Sequence, residues 1–193
     1  MKIKEEKLER LYNHCIAELN QINLDLREYG INKIKLEIKK GRNSTYGMCV
    51  KAEPDKSTQY YERGKKKYLI YQKHTIQISD WVLDLKDEII KNTIMHEIIH
   101  CFPGAGNHGK VFKKLAQVVN YELGYNISRV GNKKRDFTQS GINYDKFQSQ
   151  ERYKYILECL NCHEQFKRKR FNIKHIDKYL CPFCKSKLKI QII

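Results

Sequence analysis

Residues 93–100 read Thr93-Ile94-Met95-His96-Glu97-Ile98-Ile99-His100, and the rest of the chain is best read outward from them. Isoleucines at 89, 90, 94, 98 and 99 predict a strongly apolar helix over 86–101. Two histidines four apart on a helix lie on one face, close enough to hold one metal ion through their imidazoles. Glu97, beside the first histidine, can take a proton from water next to such an ion, because zinc lowers the pKa of that water toward ~7. The competing reading is a pair of satisfied core histidines. An ionisable triplet in a buried helix is costly without partners, which favours the metal.

A catalytic zinc takes three protein ligands and keeps a fourth position open. After His100, Pro103, Gly104 and Gly106 let the chain reverse before His108. Glu122, on a second helix, competes with His108 for the third position. The extended motif with a further glycine and histidine is absent, since its positions hold Pro103 and Gly106. As stabilisers of a developing oxyanion, Tyr60, Tyr61, Arg63 and His74 are candidates by residue type alone.

Upstream, Leu8, Leu11, Tyr12, Cys15, Ile16, Leu19 and Ile22 follow helical spacing within 5–28, and Gly30 ends that helix. Alternation at Ile34, Leu36 and Ile38 predicts a strand, as do residues 45–53. Gly64-Lys65-Lys66-Lys67 reads as a hairpin turn into a strand over 68–71, 75–78 continues as strand, and Ser79-Asp80 starts a helical turn. Downstream, 110–123 is a helix closed by Gly124. Residues 127–151 show no sustained period and read as a basic linker or arm.

Seven cysteines divide in two. Cys15, Cys49 and Cys101 stand singly among apolar residues and read as small packed hydrophobes. Cys159-x2-Cys162 and Cys181-x2-Cys184, eighteen residues apart, have the spacing of a four-cysteine zinc ribbon over 152–193. His163 and His175 are nearby substitutes, but four cysteines fill the coordination. Such a module needs the metal because its core is small. Between the pairs lies Lys167-Arg168-Lys169-Arg170, with Tyr153, Tyr155, Phe166, Phe171, Tyr179 and Phe183 around it. Basic residues interleaved with aromatics suit phosphate contacts and base stacking, above all on single strands; Phe166 and Phe183 are expected to serve as the ribbon's own core.

Here the chain resembles a known family. Thr93–His100 followed by His108-Gly109-Lys110-Val111-Phe112 is similar to the SprT-like (Spartan-related) zinc metallopeptidases, whose third histidine opens a His-Gly-x-x-Phe stretch. Thr75-Ile76-Gln77-Ile78-Ser79 resembles the family's segment before its active-site helix, and a C-terminal ribbon often accompanies bacterial members. The resemblance implies His96, His100 and His108 as ligands of a catalytic zinc, Glu97 as the general base, and a structural zinc on Cys159, Cys162, Cys181 and Cys184. It implies an α+β fold: a zincin-like minimal domain over 1–126 (an N-terminal helix, a small antiparallel sheet, the histidine helix and the one following), plus the ribbon. It also implies cleavage of proteins bound or crosslinked to DNA, as in DNA–protein crosslink repair.

The composition bounds these readings. The chain has 193 residues, 40% apolar and 11% aromatic, enough for one domain with a core plus an appendage. Its charge is +16, and residues 127–193 hold sixteen basic against six acidic side chains. That bias favours a polyanionic partner, DNA foremost, the bland alternative being a solvated lysine-rich surface. No run approaches a membrane span, and the charged N-terminal stretch lacks an apolar signal core, so the expectation is a cytoplasmic protein without a membrane partner. Two rivals remain at this level: a DNA-binding or regulatory protein with a peptidase-like scaffold, and a zinc hydrolase of small amides. The intact Glu97 speaks against the scaffold, because a structural metal has no use for a base.

Overall fold

Leu8, Leu11, Cys15 and Leu19 recur at helical spacing, and burying all four winds Lys2–Gln21 into α1. A short 3-10 turn, Leu26–Tyr29, follows, started by the Asp25 carboxylate accepting from the Arg27 amide. It ends at Gly30, whose φ of 76° only glycine adopts without strain. The computed structural model describes residues 2–41, 44–149 and 153–192, which fall into two compact units, Met1–Ile142 and Asn143–Ile193.

In the first unit the strands are β1 (Lys33–Lys39), β2 (Gly47–Pro54), β3 (Gln59–Glu62), β4 (Lys65–Tyr68) and β5 (Tyr71–Ser79). A three-stranded sheet runs in the order β1-β5-β2. β5 pairs antiparallel with β2 but parallel with β1, with Ile76 opposite both Cys49 and Leu36. The expectation of an antiparallel sheet is therefore corrected: the sheet is mixed. After β1 the chain lays down β2 and the β3–β4 hairpin, then returns through the gap between the first two strands. Period-two alternation identifies which face is buried, not which neighbour a strand takes or its direction. The hairpin loop is Arg63-Gly64, both at positive φ, as a two-residue primed turn requires. Lys65–Lys67 belong to β4 rather than to the turn.

His74, Ile76 and Ile78 of β5 are buried, and beyond it a 3-10 turn buries Trp81, Val82 and Leu83. Next come α2 (Asp87–Ile99), buried on most of its circumference, and α3 (Lys110–Leu123), which buries one stripe of Phe112, Ala116 and Val119. Lys7 and Arg10 of α1 pair with Asp87 at the start of α2, and Lys4 pairs with Asp80 and Asp84. Such solvent-accessible pairs at the surface contribute on the order of 1 kcal/mol or less each, so burial of the α1, α2 and β5 side chains holds the unit together.

Residues 127–142, expected as the first part of a basic arm, lie in this unit. There α4 (Lys133–Gln139) buries Phe137 and Asp136. Phe137 stacks on Trp81 with ring centroids 5.4 Å apart, and the Tyr46 hydroxyl donates to Asp136 at 2.7 Å. Two helical turns are too short to show a period, which is why this segment has no sustained pattern in the sequence.

The second unit holds α5 (Tyr144–Ser149) and three strands, β6 (Tyr155–Cys159), β7 (Gln165–Arg168) and β8 (Leu188–Ile192). They form an antiparallel sheet in the order β7-β6-β8. Among the described residues no helix is long and apolar enough to cross a membrane.

Candidate metal centre

His96 and His100 project from the last turn of α2, and His108 ends the loop that follows. In that loop Cys101, Phe102 and Ala105 are buried and Gly104 takes a φ of 74°. The Asn107 side chain then accepts from the Gly109 amide and leads the chain into α3. The result is a triangle of Nε2 atoms: His96 to His100 3.2 Å, His100 to His108 3.3 Å, and His96 to His108 3.0 Å. Three nitrogens at about 2.0–2.1 Å from one tetrahedral zinc stand about 3.3 Å apart. The donor set fits a zinc ion.

The tautomers fit as well. The Nδ1–H of His100 donates to the Ala105 carbonyl at 2.7 Å, which leaves the Nε2 lone pair facing the triangle. His96 is bonded to the Ser128 backbone. All three imidazoles are shifted below the ordinary histidine value. Burial, then His100 and His108, push His96 down to about 4. Burial lowers His100 against its bond to Ala105, and burial with Arg129 lowers His108. The Phe112 ring lies 4.5 to 4.8 Å from all three rings, so the third turn-position of α3 is the floor on which they rest.

Glu97 is 6% exposed. A methyl group at Gly47 would sit 2.9 Å from both Cγ and Oε1 of Glu97. The first residue of β2 thus has no side chain because the carboxylate occupies its space. Glu122 is exposed near the end of α3 and is not one of the grouped ligands. Tyr60, Tyr61 and Arg63 are exposed on the β3–β4 hairpin, whereas His74 is buried beside Cys49 and Cys101. Sequence reading missed Gly47, Ser128, Arg129 and Gly131. A methyl at Gly131 would meet the Tyr46 ring at 2.6 Å. A lone glycine in the aperiodic segment 127–135 is the available signal for close packing.

In the second unit the four cysteines converge. The Sγ of Cys184 lies 3.3 Å from that of Cys159 and 3.5 Å from that of Cys162, and Cys162 is 3.6 Å from Cys181. These distances exceed a disulfide bond and approach the ~3.8 Å between thiolates on a tetrahedral zinc. Amides of Asn161 and Cys162 donate to Cys159, and hydrogen bonds from Ser186 lower the Cys184 thiol. His163 and His175 are outside the group. Both clusters could therefore bind metal ions.

Lys167, Arg168, Lys169 and Arg170 are all exposed, the first two on the edge strand β7. Arg170, Phe171, Lys174 and Tyr179 line a surface hollow. Phe166 is half-buried and stacks on Phe183 at 6.2 Å, but Phe183 is 71% exposed. Phe183 is thus not core, contrary to expectation, because the small sheet leaves its outer side uncovered.

Compared with known proteins, the model of the SprT-like family matches residues 12–131, more than half of the chain. The match takes in α2, the histidine loop, α3 and the segment to Gly131. No curated protein matches the chain.

Proposed function

The chain belongs to the SprT-like family, and from that premise we propose that it is a zinc-dependent endopeptidase acting on DNA-bound or DNA-crosslinked proteins. The observation that carries the reading is the triangle of His96, His100 and His108 Nε2 atoms beside a buried Glu97. A zinc ion held there would supply a Lewis acid for the scissile carbonyl and lower the pKa of water at the site toward ~7. Glu97 takes the proton as water attacks and returns it to the departing amine. Gly47 and the surrounding core keep its carboxylate in one place. Imidazole bonds to Ala105 and Ser128 hold the ligand rings in the tautomer that coordinates.

The four-cysteine cluster takes a second, structural zinc. Its thiolates call for a reducing compartment, here the cytoplasm. The ribbon's exposed Lys167, Arg168, Lys169 and Arg170 contact DNA phosphates, while Phe183 and Tyr179 offer exposed ring faces for unpaired bases. Delivery of the peptidase to DNA is thereby assigned to the ribbon and hydrolysis to the first unit. Glu97→Gln tests the reading. It removes the base but no ligand, so metal content should match the wild type while cleavage of a DNA-bound protein falls by ~10²–10⁴-fold. Wild-type cleavage by that variant would show that Glu97 is not the base.

A further inference from the structure

Cys49, His74 and Cys101 make a third cluster, separate from the histidine triangle and the ribbon, with all their ligand atoms within 4.8 Å of one another. Cys49 of β2 lies opposite Ile76, two residues from His74 on β5, so both side chains belong to one face of the sheet. Cys101 comes directly after His100, where its amide closes the last turn of α2 on Ile98. The two sulfurs are 3.6 Å apart, too far for a disulfide and close to the ~3.8 Å of paired thiolates on zinc.

His74 supplies the second, independent observation. It is 2% exposed, and neither ring nitrogen has a hydrogen-bond partner. A buried imidazole with both nitrogens unpaired has given up water without replacement. A metal ion on one nitrogen restores what was given up. Two sulfurs and an imidazole are a soft donor set, suited to zinc rather than to magnesium or calcium.

We propose that Cys49, His74 and Cys101 form a further zinc site that ties β2 and β5 to the end of the histidine helix. Zinc binding displaces the two thiol protons, so two thiolates and Zn²⁺ leave no net charge at the cluster. Lys51 borders both sulfurs, and its ammonium then faces electron-rich thiolates instead of a bare cation. Cys49 is only partly buried, which gives the ion a way in and water a place in the fourth position. The site clamps the residue after His100, so it steadies one ligand of the neighbouring triangle without touching substrate. This inference does not depend on the peptidase reading.

The test uses the full chain, kept reduced and loaded with zinc, then freed of loose metal and assayed by elemental analysis. The wild type should hold three equivalents, one for each cluster. Cys49→Ser and, separately, His74→Asn should each lose one equivalent. A measurement on the wild type alone guards against variants that fail to fold. Alkylation of Cys49 and Cys101, read peptide by peptide by mass spectrometry, should be slow in the loaded protein and fast after chelation. Two equivalents in the wild type, unchanged in both variants, would overturn the proposal. So would a Cys49–Cys101 disulfide in place of the third zinc, or alkylation that zinc does not slow.

Discussion

Gly47 is a residue chosen by its neighbour. Its φ is unexceptional, so backbone freedom is not the reason for it; the Glu97 carboxylate fills the volume that a Cβ would need. Gly47→Ala should push the carboxylate aside, and a displacement near 1 Å costs a catalytic group ~10²-fold. Peptidase assays should show that loss in kcat with metal content unchanged; full activity would mean that the carboxylate tolerates the shift. Two histidines make stability depend on pH. His74 is lowered to about 4 by burial and then by Lys51, and His96 to about 4 by burial and its histidine neighbours. An unfolded imidazole titrates near ~6.5, so between about 6.5 and 4 the unfolded chain binds more protons. Stability of the metal-free protein is therefore full above that window and lost as pH falls through it. Thermal melts in chelator from about pH 7.5 to about pH 4.5 should show Tm declining across the window, and a flat Tm would contradict the burial of these rings.

Among the elements, α4 departs most from what its sequence suggests. Asn132-Lys133-Lys134-Arg135 looks like tether, yet Asn132 caps the helix and Phe137 is 3% exposed against Trp81. Phe137→Ala should destabilise the first unit by about 3–5 kcal/mol, seen as a lower Tm with the ribbon's metal retained. An unchanged Tm would return the segment to the status of an arm. The histidine helix and the cysteine pairs are legible in the sequence because their information is local: spacing four on a helix, spacing three in a knuckle. His108 is readable from the glycines before it. The parallel pairing of β1 with β5 is not, since alternation has no direction, and the grouping of Cys49, His74 and Cys101 joins residues up to 52 positions apart. Ser128 and Arg129 reach the histidines only through the return of the chain after α3, which no periodicity encodes.

Across the whole molecule the charge is divided between two units, with the exposed basic run 167–170 on the second. Replacing Lys167, Arg168, Lys169 and Arg170 with Gln should weaken DNA binding across sequences. It should also flatten the log–log salt slope by ~0.7–0.9 for each phosphate the chain no longer neutralises. Cleavage of an unstructured protein without DNA should stay as in the wild type, because the histidines and Glu97 lie in the first unit. Unaltered affinity and slope would reduce the run to a solvated edge.

The segment from Ser128 to Phe137 is anchored at both ends: to the His96 ring at one, to Trp81 at the other. Thermodynamic reciprocity then applies to it. If metal on the histidines tightens this segment, a partner that grips the exposed Lys134 and Arg135 must change metal affinity by the same factor. Amide exchange across 128–137 would register both ligands, making a stretch that looks like tether the place where occupancy of the centre can be read from outside.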